Sequence, residues 1–182
     1  GMYHKRRLVP FGEYVPLEGV LRGLIEFFDL PMSSFTSGPA GQSPLRAGAY
    51  RIAPFICYEI VYGGMVARSA RDADLIVTVS NDTWFGSSIG PLQHLQIAQM
   101  RGRENGRYVL RATNNGISAI IDHQGRIVKR TEQFIATTLE GEAEAMLGST
   151  PFSSFGNTPM VAGCFLGLLL MWLMYVGFWR DN

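Results

Sequence analysis

Phe55-Ile56-Cys57-Tyr58-Glu59 closes an apolar run that begins at Tyr50, and it ends in a thiol, a phenol and a carboxylate. Beyond Glu59 the pattern turns helical, so the run reads as a strand leading into a helix. A nucleophile at such a turn has an exposed side chain and free backbone N–H groups that can meet an oxyanion. Cys57 is therefore a candidate nucleophile. A free cysteine is also among the most buried residue types, and a small buried hydrophobe fits the same position. Both readings stand on the residue alone.

Outward from this stretch the chain alternates. Leu75-Ile76-Val77-Thr78-Val79 is a continuous β-branched run, the pattern of a parallel strand buried on both faces. Between the two runs, Val61 to Arg71 reads as a helix weakened at its start by Gly63-Gly64. Pro91 to Asn105 reads as a second helix with proline in its first turn, and Leu92, Leu95, Ala98 and Met100 form its expected inner face. Tyr108 to Thr113 is the next strand, and Asn114-Asn115-Gly116 is a tight turn. Ile117–Ile121 and Arg126–Lys129 form a hairpin around Asp122-His123-Gln124-Gly125. Phe134 to Leu139 reads as a last strand and Gly148 to Asn157 as a linker. Together these predict an α/β fold.

On the amino-terminal side, Tyr3-His4-Lys5-Arg6-Arg7 is basic, and the following Leu8 to Pro16 reads as an ordered loop with two prolines and a glycine. Lys5 and Glu13 are its chemical candidates, against the alternative of solvated surface charges. Val20 to Leu30 reads as a short amphipathic helix, packed on the domain or lying at a membrane surface. Met32 to Gly48, rich in Ser, Gly and Pro, reads as a long loop of the kind that forms lids.

The chain has 182 residues, a formal net charge of +1 and two cysteines, Cys57 and Cys164. That size suits one domain with a sizeable core. The charge balance gives no sign of a nucleic-acid partner, and the cysteine count indicates no disulfide framework. His4, His94 and His123 are scattered and suggest no metal cluster. The abrupt basic start suggests a piece of a longer protein.

Met160 to Trp179 is a stretch of twenty residues without a charge. As a helix it would span about 30 Å, the thickness of a hydrocarbon core. Trp172, Tyr175 and Trp179 fall in its later half, where interfacial aromatics belong. We therefore expect a transmembrane helix at 160–179, a linker at 148–159 and a partial catalytic domain at 1–147. Arg180 after the span is a positive-inside cue for a cytoplasmic carboxyl terminus, which puts the globular part outside.

The set Lys5, Glu13 and Cys57, with a strand ending in the cysteine, resembles the nitrilase (carbon–nitrogen hydrolase) superfamily. Arg101-Gly102-Arg103-Glu104-Asn105 looks like that superfamily's helix end. Closer still is its apolipoprotein N-acyltransferase family, which Leu8 to Pro16, Cys57-Tyr58-Glu59, Ser80 to Gly86 and Arg111 to Gly116 resemble. The resemblance implies part of an α-β-β-α sandwich followed by one carboxyl-terminal transmembrane helix. It implies an acyltransferase of the bacterial inner membrane with its catalytic domain facing the periplasm. An acyl chain would pass from a phospholipid to the cysteine as a thioester, and then to the amino-terminal diacylglyceryl-cysteine of an apolipoprotein. No cofactor or metal is implied.

Carried over residue by residue, Cys57 is the nucleophile, Lys5 the triad lysine and Glu13 the supporting glutamate. Tyr58, Glu59 and Trp84 are expected at the substrate. The family's triad glutamate lies upstream of the lysine, and no glutamate precedes Lys5 here. The chain alone is therefore expected to be inactive, a carboxyl-terminal part of the enzyme. A membrane-tethered amidase and a non-catalytic anchored domain are the competing readings.

Overall fold

The computed structural model describes residues 1–14 and 35–180, with side chains as far as residue 176. The helix expected at 20–30, and the first part of the loop expected at 32–48, lie outside the described residues. Six strands form one sheet in sequence order: β1 (Leu45–Ala47), β2 (Tyr50–Ile56), β3 (Leu75–Asn81), β4 (Tyr108–Asn114), β5 (Ala119–Ile121) and β6 (Ile127–Arg130). The β1 strand falls in the stretch read as loop, and it pairs antiparallel with β2 across a turn at Gly48, where φ is 60°.

β2, β3 and β4 are mutually parallel, with Ile56 opposite Val79 and Asn81 opposite Asn114. A parallel pair needs a crossover, and helices α1 (Gly63–Ala70) and α2 (Gly90–Asn105) supply the two crossovers. Successive right-handed crossovers across sequential strands put both helices on one face. Ala53, Phe55, Ile76 and Val109 from the sheet meet Val66, Ala70, Leu95 and Ala98 from the helices to form the core. The sheet ends in an antiparallel β4–β5–β6 meander, whose hairpin turn is tied by Asp122 accepting the amides of Gln124 and Arg126.

Further expectations change. β3 is buried on its helix-facing side, but Val77 is half-buried and Val79 is 47% exposed on the other. Side chains alternate along a strand, and among the described residues that second face is covered only in part. On α2 the inward positions are Pro91, His94, Leu95 and Ala98, while Leu92 and Met100 are exposed. Met100 lies five residues past Leu95, about 140° round the helix. Phe134–Leu139 is not a strand, because Phe134 adopts φ 64° and turns the chain out of the extended region.

The stretch read as a linker holds a docked helix, α3 (Pro151–Phe155), capped by the Thr150 hydroxyl accepting from Ser153 N–H. Arg71 donates to the Ser153 carbonyl at 2.9 Å, and Arg107 donates to the Gly148 carbonyl at 2.7 Å. After Gly156 comes α4 (Thr158–Arg180). Its segment Thr158–Val176 has a mean hydropathy of 2.0 and none of it is buried. By length and composition it can cross a membrane.

Candidate active site

β2, β3 and β4 all run toward one edge of the sheet, and the chemistry-bearing residues gather there. β2 ends at Ile56 and passes directly into a short 3-10 helix, Cys57–Val61. Cys57 itself adopts φ 54°, the left-handed region that non-glycine residues rarely enter. That conformation turns the chain sharply and leaves the thiol half-exposed. A strained backbone at a reactive residue persists only where its surroundings over-determine it. Here two buried side chains do so, one on each side of the cysteine.

The first is Glu59, which is fully buried. Its Oε2 accepts the Ile56 N–H at 2.8 Å, just before the cysteine, and the Tyr3 hydroxyl at 2.9 Å. Its Oε1 accepts the backbone N–H groups of Arg6 at 2.6 Å and Arg7 at 3.2 Å. One carboxylate thus fastens the amino-terminal segment to the cysteine turn, and Lys5 arrives there as the residue before Arg6. Glu59, expected at the substrate, has both carboxylate oxygens engaged by donors of its own chain.

Burial pushes the Tyr3 phenol up to about 12; hydrogen bonding to Arg6 opposes the rise and the Glu59 charge adds to it. Lys5 Nζ lies 2.5 Å from Glu13 Oε1, and Glu13 Oε2 also accepts the Val9 N–H at 2.8 Å. Glu13 thereby ties the lysine to the turn that begins at Val9. Tyr58 is half-buried and packs edge-on against Tyr62, with ring centroids 5.4 Å apart. Trp84 is 78% exposed, in the short 3-10 helix Asp82–Phe85 that follows β3. Phe85, Ile89 and Leu92 are exposed as well, on a stretch without charges from Thr83 to Gln93.

The second clamp was not assigned from sequence. Asp82, His94 and Arg111 come from β3's end, α2 and β4, and all three are buried. Arg111 Nη2 stands 2.5 Å from Asp82 Oδ2, and His94 Nδ1 stands 3.0 Å from Asp82 Oδ1. Ser80 Oγ donates to the same Oδ1 at 2.7 Å. On its far side, His94 Nε2 lies 3.3 Å from the Cys57 carbonyl oxygen. Burial pushes the Asp82 carboxyl up, but hydrogen bonds from His94 and Ser80 and the Arg111 charge more than offset this and leave it below its ordinary value. Burial pulls Arg111 down, with Asp82 and Cys57 opposing.

The sequence signals were present but dispersed. A histidine at an inward helix position and an arginine within a β-strand are each individually unusual. Gly116 completes the set, because a Cβ there would collide with the Asp82 carboxylate. Asn115 beside it takes φ 55°, as the Asn-Asn-Gly turn requires. This turn also borders a cleft of about 470 Å³ at the same sheet edge, lined by Thr83, Asn115, Ser118, Thr131 and Phe134. Cys164 is exposed on α4 and unpaired, so Cys57 is a free thiol.

A family model for carbon-nitrogen hydrolases matches residues 1–152. Among curated proteins, the chain is 55% identical over 174 residues to an apolipoprotein N-acyltransferase of Pseudomonas paraeruginosa, covering 96% of this chain and 34% of that protein. It is 57% identical over 174 residues to the protein of the same name from Azotobacter vinelandii, covering 96% and 33%. The chain therefore spans about a third of the length of the curated relatives it matches. Among solved structures, the C. elegans NitFhit protein aligns with a TM-score of 0.55 at 17% identity, over 72% of this chain and 31% of that one. This last likeness concerns the fold alone.

Proposed function

The chain belongs to the carbon-nitrogen hydrolase family, and on that premise we propose that it is the cysteine-bearing part of an apolipoprotein N-acyltransferase. The observation that carries the reading is the cysteine turn itself. A half-exposed thiol at φ 54° is pinned through Glu59 to the segment that presents Lys5. The names of relatives 55% identical over 96% of the chain support the acyl transfer, and the apolar α4 supports a substrate drawn from a bilayer.

The chemistry follows from these groups. An ordinary thiol has a pKa of about 8.5 and is mostly protonated at neutral pH. A general base takes the thiol proton, and Lys5 is held by Glu13. The resemblance assigns that base to a glutamate upstream of the lysine. The thiolate attacks the ester carbonyl of a phospholipid. Lys5 and the Tyr58 N–H donate to the resulting oxyanion. The C–O bond breaks, the lysophospholipid alkoxide takes a proton, and the acyl group remains on Sγ as a thioester. The α-amino group of a diacylglyceryl-cysteine then attacks, loses its proton to the base and expels the thiolate.

In this reading α4 crosses the bacterial inner membrane and the domain faces the periplasm. Tyr58 and Trp84 line the approach of the lipid. Holding the domain at the bilayer raises the local concentration of both substrates.

The test is intact mass of the complete gene product after incubation with phospholipid vesicles. An acyl-sized increment that maps to Cys57 and is released by hydroxylamine is the expected result. No increment on a folded, membrane-inserted protein, together with ammonia release from small amides, would move the assignment to an amidase.

A further inference from the structure

We propose that His94 is a positioning residue that aims the oxyanion-binding amide of the cysteine turn, an inference that rests on acyl transfer at Cys57. The argument begins with the peptide joining Cys57 to Tyr58. In a planar trans peptide the C=O and the following N–H point in opposite directions. Fixing one fixes the other. The Cys57 carbonyl accepts from His94 Nε2 at 3.3 Å, and His94 is a buried residue of α2, on the core side of the turn. The carbonyl therefore faces inward and the Tyr58 N–H points the opposite way. That N–H belongs to the first turn of the 3-10 helix, where it has no intrahelical acceptor. No acceptor meets it among the described residues, so it can receive the developing oxyanion.

The second part concerns how the ring is held. The Cys57 carbonyl at 3.3 Å can only accept, so Nε2 carries the hydrogen on that side, and Nδ1 lies 3.0 Å from the Asp82 carboxylate on the other. Asp82 is itself held by Arg111 and Ser80, while the Phe85 ring packs against the imidazole at 6.3 Å. A donor on the Cys57 carbonyl withdraws electron density from the amide. This polarises the Tyr58 N–H and strengthens it as a donor. The buried row Arg111–Asp82–His94 thus acts on the reaction through one peptide bond without touching substrate.

The test compares two side-chain amides in the complete gene product, purified in detergent. His94→Gln places an N–H donor near the Nε2 position and keeps the contact with the Cys57 carbonyl. His94→Asn is shorter, reaches Asp82 and leaves the carbonyl without its donor. Two reactions of Cys57 are followed in each variant. Acylation by p-nitrophenyl butyrate passes through an oxyanion, and alkylation by iodoacetamide does not.

We expect His94→Asn to slow acylation by about 10²- to 10³-fold, the usual loss for one oxyanion donor, with alkylation little changed. His94→Gln should restore acylation to within about tenfold of the parent. Equal acylation rates in the two variants would overturn the proposal. So would a parallel fall in alkylation, which would make His94 a support of the thiol or of the fold. A parent protein acylated by the soluble ester but not by phospholipid would sink the lipid reading and leave this inference standing. A parent acylated by neither would overturn both.

Discussion

Glu59 Oε1 accepts the backbone N–H of Arg6 at 2.6 Å, across 53 positions of chain. The same carboxylate holds the Ile56 N–H, so the amino-terminal segment and the cysteine turn share one acceptor. Glu59→Gln keeps the shape but replaces one acceptor oxygen with an amide that faces other donors. Leaving such buried groups unsatisfied costs about 2–3 kcal/mol. We expect a lower melting temperature and faster tryptic cleavage after Arg6 and Arg7 in the native state. Unchanged cleavage would show that something else holds the segment.

Cys57 offers a direct reading of backbone strain. A non-glycine residue in the left-handed region costs about 1–2 kcal/mol, which glycine escapes. Cys57→Ala removes the thiol but keeps the strain, and Cys57→Gly removes both. Made in the complete gene product, both variants should lose the proposed acyl transfer. In chemical denaturation the glycine variant should be more stable than the alanine variant by about 1 kcal/mol. Equal stabilities would mean that the turn relaxes when the thiol is gone.

Asp82 and Arg111 form a fully buried ion pair. Asp82→Asn leaves the guanidinium uncompensated, and breaking a buried pair in this way costs about 3–5 kcal/mol. The Asp82 carboxyl lies below its ordinary value when folded. Its stabilising contribution is therefore present above the unfolded carboxylate range and lost as pH falls through the depressed folded value. The parent should lose stability across that acid window, and a folded Asp82→Asn variant should show a shallower loss. Identical acid limbs would contradict the assignment.

Tyr3 makes the opposite test at the alkaline end. Its folded value of about 12 lies above the unfolded value of 10.0. The contribution is complete below pH 10 and disappears as pH rises from there through 12. Because the ring is partly solvated, the effect should be about 1 kcal/mol rather than the full linkage value. Stability of the parent minus that of Tyr3→Phe should shrink over this window. A constant difference would place the phenol outside the Glu59 network.

Much of the frame was legible because it rests on local pattern. The β-branched run of β3, the proline at the start of α2 and the Asn-Asn-Gly turn are each specified by a few neighbouring residues. The cysteine turn was legible for the same reason, since a strand signal stops at Ile56 and a helical one follows. What escaped depends on distant partners. Glu59 reads as an acid next to a nucleophile, and only the approach of Arg6 and Ile56 shows that its oxygens are already taken. His94 reads as an isolated histidine until Asp82 and Arg111 arrive from two other elements. Phe134–Leu139 has the composition of a strand, yet one positive φ turns it away from the β6 edge.

The connection between α3 and α4 has a mechanical consequence. α3 is bolted to the domain through Arg71, and only Gly156 and Asn157 separate it from Thr158 at the start of α4. Two extended residues reach about 7 Å. If α4 crosses a bilayer as proposed, the domain has almost no leash of its own and rides at a set height above the lipid. It would meet its substrates by lateral drift rather than by search through a volume. Turnover would then follow the packing and lateral mobility of the leaflet more closely than any bulk concentration. Lengthening that two-residue hinge would be felt as a change of altitude, with every side chain of the catalytic edge still in place.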